Sequence, residues 1–230
     1  MAPTTVLHLG KHYPPERGGI ETVLEALCEG AGAGIEPRAL VLNTSRRTVH
    51  ERVNGVDVTR VGRVAAVGAV SITPSLALWL RRETADVMVL HEPNPMALVA
   101  HAIAQPGAPL IVWFHSEVIR ARWKYRLFYE PLLDGVLRRA TRIIVASPPM
   151  QDVPALAAHR DKVAVIPFGL DPSGYRPGVS PSKDLAAQPT LLFVGRLVPY
   201  KGVDVLLRAL AGVPASLVLV GDGPDRKSVV

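Results

Sequence analysis

The sequence predicts an α/β fold in which strands and helices alternate, with one complete domain followed by the first β-α-β unit of a second. Three observations predict it. Short apolar runs alternate with longer helical patterns along the 230 residues, as in parallel βα units. Runs such as VMVL and IIVA are apolar at every position, which is typical of strands covered by helices on both faces. A segment rich in Pro, Gly and Ser, Pro167–Pro189, interrupts the alternation before it begins again.

Seven apolar runs are predicted strands of the first domain: Thr4–Leu9, Arg38–Leu42, Val56–Val61, Val87–Leu90, Leu110–Phe114, Arg142–Ala146 and Lys162–Ile166. Helical patterns are predicted between most of them, at Ile20–Gly30, Ser75–Glu83, Pro95–Ala104, Glu117–Arg139 and Met150–Ala158. After the interruption the order repeats with strand Thr190–Val194, helix Val203–Ala211 and strand Ser216–Val220.

We therefore predict a complete Rossmann-like domain over residues 1–168, a linker over 169–189, and an incomplete second Rossmann-like domain over 190–224. The second contains too little core to fold independently. The last six residues, DRKSVV, do not continue the pattern, since a helix is expected after GDGP. One reverse translation of these six residues matches a common sequencing-library adapter, so 225–230 are interpreted as a sequencing or assembly scar.

Composition limits the class of protein. The start, MAPTTVLHLG, lacks a basic segment and a cleavage site, and no apolar run reaches the roughly 18–20 residues of a membrane span. The single cysteine, Cys28, is predicted to be a small core residue, so a cytoplasmic protein is expected. The net charge of +6 suits phosphate-bearing ligands or an anionic membrane, and no nucleic-acid partner is predicted.

The turn after the first strand contains the pair Gly18–Gly19 immediately before a helix. Glycines let a backbone approach a ligand closely, and the start of a helix offers free N–H groups to an anion. An ordinary tight turn explains a Gly-Gly pair equally well. The turn lacks the G-x-G-x-x-G pattern of dinucleotide binding, which argues against a dehydrogenase. Glu21, in the first helical turn, is either a favourable N-terminal charge or a contact to a hydroxyl group.

Two histidines end strands at the carboxyl edge of the predicted sheet, where open α/β sheets bind ligands. His115 follows the run IVWF, and His91 follows VMVL. Either histidine could instead be structural, and His91 is the weaker candidate.

An ordered set of seven motifs points to one family: LGKHYPPERGGIETV, LHEPNP, WFHSE, VASPPM, VIPFGLD, FVGRLVPYKGVDVLLRAL and LVGDGP. Each motif alone is weak, but together they cover nearly the whole chain to Pro224. The chain resembles glycosyltransferase family 4, and within it bacterial mannosyltransferase-like members that build cell-surface polysaccharide such as lipopolysaccharide. The resemblance implies the GT-B architecture, with an acceptor-side domain first and a donor-binding domain second.

The resemblance also implies roles for individual residues. Arg196 and Lys201, in the loop GRLVPYKG, would bind the donor diphosphate, where cations stabilise the charge that grows as the nucleotide leaves. His115 would meet the donor sugar near its anomeric carbon. His91 and Glu21 would lie on the acceptor side. Four glycines would shape the donor site, namely Gly18, Gly19, Gly221 and Gly223, although a plain β-turn explains the last two almost as well.

The helical pattern beginning EVIRARWKYRLFY is basic and aromatic. Over residues 116–142 seven Arg or Lys stand against three acids, a net charge of +4. Such a mixture suits the headgroup layer of an anionic membrane, so peripheral contact through Arg120–Tyr129 is one interpretation. A helix with a buried aromatic stripe and a solvated basic face is the other.

The sequence thus predicts a retaining glycosyltransferase that moves a sugar, with mannose favoured, from a nucleotide-sugar such as GDP-mannose to a glycan or lipid-linked acceptor. It contains no D-x-D motif, so no metal and no cofactor are expected. The family places a pair of donor-binding glutamates beyond the end of this sequence, so the 230-residue chain is expected to be inactive. An epimerase or phosphorylase of the same fold, or a non-catalytic nucleotide-sugar-binding fragment, remains the alternative.

Overall fold

The computed structural model describes residues 2–67, 70–117, 125–169, 172 and 188–228. It divides into two compact units, Met1–Leu170 and Asp171–Val230, which are called unit 1 and unit 2 below. The fold is mixed α/β with a large parallel sheet, as predicted.

Unit 1 is organised around an eight-stranded sheet in the order β10-β9-β8-β7-β1-β2-β4-β3. All neighbours in it are parallel except β3, which is antiparallel to β4. A separate two-stranded ribbon joins β5 and β6. The strands are β1 Thr4–Leu9, β2 Ile35–Leu42, β3 Val49–Val53, β4 Val56–Val61, β5 Ala65–Val67, β6 Val70–Ile72, β7 Val87–Glu92, β8 Leu110–Phe114, β9 Arg142–Val145 and β10 Val163–Val165.

Four α-helices of unit 1 are described: α1 Gly19–Glu29, α2 Leu76–Arg82, α3 Pro95–Ala104 and α4 Glu130–Arg139. Asn94 caps α3 by accepting a hydrogen bond from the N–H of Ala97 at 3.2 Å, and Pro95 begins the helix with its φ already restricted. The predicted helix Glu117–Arg139 is a π-helical turn, Tyr125–Tyr129, followed by α4. Its residues 118–124 lie outside the described part of the chain.

The two faces of the sheet have separate cores because alternate residues of a strand point to opposite sides. On one side Leu90 of β7 and Val112 of β8 are fully buried with residues of α2, α3 and α4. On the other side Val89, Trp113 and Ile144 pack together with residues of α1. Cys28 is buried in the core beside α1, as predicted.

Several predicted elements differ from the structure. The helix predicted over Met150–Ala158 is wrong, since this segment forms two 3₁₀ stretches, Pro148–Asp152 and Pro154–Lys162. The cause is Pro154, which lacks an N–H and holds the preceding Val153 in an extended conformation, with ψ of 138°. Strands β3, β5 and β6 were not predicted. An Asn54–Gly55 turn with positive φ at both residues joins β3 to β4.

Unit 2 contains a two-stranded parallel sheet of β11 (Thr190–Val194) and β12 (Ser216–Val220), joined by α5 (Val203–Leu210). A 3₁₀ turn, Pro199–Lys201, precedes α5, and Gly202 caps the helix with φ of 67°. Apolar side chains of both strands are exposed, including Leu192 at 65% and Val194 at 69%. Another 3₁₀ turn, Pro224–Ser228, follows the GDGP loop.

Candidate functional site

Three histidines lie on three adjacent strands at the carboxyl half of the sheet in unit 1. His8 belongs to β1, His91 to β7, and His115 directly follows β8. Strand register explains why they face the same side. His8 pairs with Val89, two residues before His91, and His91 pairs with Trp113, two residues before His115. The three side chains therefore run diagonally across the face that packs on α1.

These three imidazoles form a hydrogen-bonded series, which we call the histidine row. Nδ1 of His8 lies 3.1 Å from Nε2 of His91, and Nδ1 of His91 lies 3.0 Å from Nε2 of His115. Aromatic stacking accompanies the His91 and His115 half of the row, whereas the His8 ring is tilted by 30° to His91. The His91 and His115 rings are within 8° of parallel to Trp113, and Phe168 stacks on His115 at 19°.

The row is electrically neutral at physiological pH. Burial lowers the pKa of His8 and of His115 to about 4. Burial, and then repulsion from the other two histidines, lowers the pKa of His91 well below 6.5. Neutral imidazoles each carry one N–H donor and one lone-pair acceptor, so the half-buried His115 can form a hydrogen bond to a ligand without bringing a charge.

His91 was the weaker of the two histidines predicted from the sequence, and the structure joins it directly to His115. His8 was missed. Its signal is a polar residue inside the largely buried apolar run VLHL, at the alternation position that faces α1. Glu92, next to His91, was also missed. It is fully buried on the opposite face, and burial raises its pKa to about 8, so its carboxyl group is predominantly protonated at neutral pH.

The loop between β1 and α1 contains the predicted Gly18, Gly19 and Glu21. Glu21 bends back over Gly18, where an added β-carbon would lie 2.2 Å from Oε2 of Glu21. The flexible end of Glu21 could shift to make room for a side chain at position 18, and the position of Gly19 is open, so packing requires neither glycine. The carboxylate of Glu21 lies at the N-terminus of α1, the end of a helix that favours negative charge.

Arg60 of β4 anchors the first half of the same loop. Its guanidinium is buried and donates hydrogen bonds to the carbonyl oxygens of Tyr13, at 2.8 Å, and of Pro14. It also pairs with Glu16, at 3.4 Å, and with Glu51. The loop that leads to Gly18 is therefore fixed by main-chain contacts to a buried cation.

A small cavity opens beside this loop at the carboxyl edge of the sheet. Its volume is about 210 Å³, and its polar lining includes Lys11, Ser71 and Asn94. Lys11 follows β1 and Asn94 follows β7, so both lie at the edge where α/β sheets bind ligands. Neither residue was singled out from the sequence, although Lys11 stands in the motif LGKHYPPERGGIETV and Asn94 in LHEPNP.

The remaining predicted residues lie in unit 2. Arg196 and Lys201 occupy the loop between β11 and α5, and both side chains are exposed. Neither forms an ion pair with another residue in the described part of the chain, while the ammonium group of Lys201 lies 5.7 Å from the ring centre of Tyr200. The two cations are thus available to a ligand.

The structure explains why positions 221 and 223 are glycine. The loops after β11 and β12 are joined by hydrogen bonds from Gly195 N to Val220 O and from Leu197 N to Asp222 O, both at 2.9 Å. A β-carbon at Gly221 would lie 1.8 Å from Gly195 O, and one at Gly223 would lie 2.1 Å from Leu197 O. Both glycines allow the two main chains to touch, which the alternative of a plain turn did not anticipate.

Comparison with known proteins identifies the family. Residues 18–169 match the model described as the glycosyl transferase 4-like domain. The chain belongs to this family. Residues 181–230 match a second model, glycosyl transferases group 1. The resemblance inferred from the seven motifs is therefore confirmed.

Two curated relatives match along most of the chain. D-rhamnosyltransferase WbpZ of Pseudomonas aeruginosa is 34% identical over 95% of this chain and 60% of its own length. O-antigen chain mannosyltransferase C of Escherichia coli is 29% identical over 95% of this chain and 61% of its own length. This family member therefore spans about 60% of the length of these relatives.

The fold comparison agrees. Anabaena HepE, solved in complex with UDP and glucose, superposes with a TM-score of 0.65 at 20% identity, over 98% of this chain and 64% of its own. At this identity the match shows a partial GT-B fold, as predicted. In the described ranges, no helix is both long and apolar enough to cross a membrane. Within those same ranges, His, Cys, Asp and Glu form no group of three or more that could hold a metal ion.

Proposed function

We propose that this chain is the acceptor-side domain and the start of the donor-side domain of a retaining, metal-independent glycosyltransferase. Its parent enzyme would transfer a hexose from a nucleotide-sugar to a glycan or lipid-linked acceptor at the cytoplasmic side of the membrane. Two separate observations carry the proposal, each at a strand end of a Rossmann-like unit: the neutral His115 in unit 1, and, in unit 2, Arg196 and Lys201, which form no ion pair within the described residues.

The chemistry of these residues fits the two substrates. A neutral imidazole can donate to or accept from a sugar hydroxyl without attracting a phosphate. Arg196 can bind two phosphate oxygens at once, and Lys201 adds a compact charge, so both would stabilise the departing diphosphate. Gly18 and Gly19 would let the donor approach the start of α1. The cavity beside Lys11 and Asn94 would receive an acceptor hydroxyl group.

The sugar we propose is mannose, supplied as GDP-mannose. The two relatives are named for rhamnose and mannose, and D-rhamnose differs from D-mannose only by the absence of the 6-hydroxyl group. Transfer to a cell-surface glycan acceptor should therefore be measured with GDP-mannose and GDP-D-rhamnose side by side, in the enzyme completed by the rest of its second domain. Activity should persist in EDTA. A strict requirement for a divalent cation, or turnover of the donor without any acceptor, would contradict the proposal.

Peripheral membrane contact through Arg120–Tyr129 is a further part of the proposal. Leu127 and Phe128, in the described half of this segment, are each 62% exposed, which suits insertion among lipid headgroups. Sedimentation with anionic vesicles should fall when both are changed to serine or when Arg122, Lys124 and Arg126 are changed to glutamine. Ile103→Ser, at an apolar residue of α3 that is 53% exposed, is the matched control. Binding that survives the first two changes would favour a merely solvated face.

A further inference from the structure

The hydrogen bonds of His91 restrict the whole histidine row. A neutral imidazole has one protonated nitrogen and one lone-pair nitrogen, so it cannot donate at both ends or accept at both ends. His91 is bonded at both nitrogens, to His8 through Nε2 and to His115 through Nδ1. If it donates to one neighbour, it must accept from the other. The three rings are therefore coupled.

Only two arrangements of protons satisfy both bonds. In the first, His8 Nδ1–H donates to His91 Nε2, and His91 Nδ1–H donates to His115 Nε2, which leaves the proton of His115 on Nδ1. In the second, His115 Nε2–H donates to His91 Nδ1, and His91 Nε2–H donates to His8 Nδ1. Then Nδ1 of His115 carries a lone pair. The choice between them decides what His115 offers to a ligand.

We propose that His8 and His91 are positioning residues that fix the tautomer of His115, and so determine whether its Nδ1 donates to or accepts from the ligand. The identity of that ligand, a sugar hydroxyl group, rests on the proposed function. The coupling between the three rings rests only on their geometry. His115 would be the residue that touches substrate, and the other two would act through it.

Three features of the surroundings favour this role over simple space filling. Both hydrogen bonds have ordinary lengths, 3.1 and 3.0 Å. Trp113 stacks on both His91 and His115, whose rings lie 16° from parallel, while the His8 ring is tilted by 30° to His91. His8 and His91 are buried, at 6% and 1% exposure, so water competes little for their nitrogens.

A pair of substitutions at His91 separates its two bonds. A glutamine amide reaches about as far as Nε2, so His91→Gln should keep the bond to His8 and lose the bond to His115. The shorter asparagine reaches about as far as Nδ1, so His91→Asn should keep the bond to His115. His8→Phe breaks the row at its far end while preserving an aromatic ring. His101→Gln is the control, because His101 is a buried histidine outside the row.

The measurement is the protonation of the two His115 ring nitrogens, observed by ¹⁵N NMR of histidine-labelled 230-residue chain at neutral pH. The 230-residue chain without substitutions should show a single tautomer at His115. His91→Gln and His8→Phe should each change the His115 nitrogen shifts, toward a mixture of tautomers in the first case. His91→Asn keeps a partner for His115 but loses the bond to His8, so it should change the His115 shifts as His8→Phe does, and His101→Gln should leave His115 unchanged. A thermal melt of each variant establishes that it is folded.

Unchanged His115 nitrogen shifts in folded His91→Gln, or a mixture of tautomers already present in the parent, would overturn the proposal. If His91→Gln does not fold, His8→Phe tests the proposal instead, because His8 is connected to His115 only through the hydrogen bonds of His91. In the completed enzyme, kcat should be roughly tenfold or more lower for His91→Gln than for His101→Gln, because a wrong tautomer weakens the reacting contact. If the completed enzyme without substitutions has no transferase activity, the proposed function is wrong. The NMR result would still show whether the three histidine rings are coupled.

Discussion

Units 1 and 2 repeat the same βα order with opposite results for burial. In unit 1, the central strands β7 and β8 lie between other strands and are covered on both faces, so Leu90 and Val112 are fully buried. In unit 2, β11 and β12 pair only with each other in the described chain, and Leu192 and Val194 remain largely exposed. Similar apolar patterns thus predict strands in both units, but the side chains of a strand are buried only where other strands and helices cover them.

The strongest way to break this comparison is to separate the units. Residues 1–170 alone should unfold cooperatively, because they retain the whole eight-stranded sheet and both cores. Residues 171–230 alone should show no cooperative transition, because two strands and one helix cannot bury enough apolar surface. Circular dichroism during thermal unfolding measures both.

Limited proteolysis of the intact chain is the companion test. Cleavage should concentrate within 171–189 and leave a resistant product of unit 1. Soluble expression should also improve when the chain ends near Asp171, since the exposed apolar strands of unit 2 are then absent. A cooperative transition in isolated unit 2 would show that its exposed strands form a stable core after all.

Matched leucine substitutions sharpen the comparison at single residues. Leu90→Ala removes a fully buried side chain and should lower the free energy of unfolding by roughly 2–5 kcal/mol. Leu192→Ala removes one that is 65% exposed and should change it by less than about 0.5 kcal/mol. Urea unfolding followed by tryptophan fluorescence reports on unit 1, where all three tryptophans lie, and amide exchange reports on β11. Equal losses would mean that β11 is covered in solution.

The exposed cations of unit 2 should matter for activity and not for stability. In the completed enzyme, Arg196→Ala and Lys201→Ala should each raise the barrier to transfer by roughly 2.7–4 kcal/mol, with little change in thermal unfolding. His115→Ala in unit 1 should impair transfer but leave nucleotide binding nearly intact. Steady-state kinetics and nucleotide titration separate these effects. Near-parent kcat in a folded Arg196 or Lys201 variant would remove that residue from the diphosphate site.

The smallest effect is in the pH dependence of unit 1. Burial raises the pKa of Glu92 to about 8, so between pH 4.5 and 8 the folded chain keeps a proton that the unfolded chain releases, and stability falls as pH rises. Burial lowers the pKa of His8, His101 and His115 to about 4, so between pH 4 and 6.5 stability rises with pH. The free energy of unfolding should therefore be greatest near pH 7, where the histidine and Glu92 contributions balance.

Above that maximum, stability should decline by at most about 1.4 kcal/mol per pH unit, since one proton is involved. Glu92→Gln should remove the decline, because its neutral amide has no proton to lose. Glu117→Gln, at an exposed glutamate of the same unit, should preserve it. Urea unfolding at several pH values between 6 and 8 measures the slope. An identical slope in the parent and in Glu92→Gln would assign the decline to another group.

The sequence predicted most of the parallel sheet because its strands are continuous apolar runs such as VMVL and LIVWF. It missed β3, whose residues VHERV are largely exposed and polar, although the Asn54–Gly55 pair that joins it to β4 is a hairpin signal. It also overextended a helix through Pro154, where the missing N–H prevents α-helical hydrogen bonding.

Site residues were predicted where they end a strand. They were missed where their position depends on which strands are neighbours and how those strands align. His91 and His115 stood out at strand ends, but their contact depends on which strands are neighbours, which local pattern does not specify. His8 lies within a strand and joins the row only because β1 pairs with β7. Arg60 is hidden for a similar reason, since it reaches a loop more than forty residues earlier in the chain.

The contact between the loops after β11 and β12 has a consequence for how the protein can change. Their shape depends on main-chain hydrogen bonds, on two glycines, and on one bond from Gly223 N to the carboxylate of Asp222 at 2.9 Å. Position 196 can therefore accept a new side chain without altering the loops, whereas any side chain at Gly221 or Gly223 would force them apart. The architecture therefore separates the residues that shape these loops from the cation that they present.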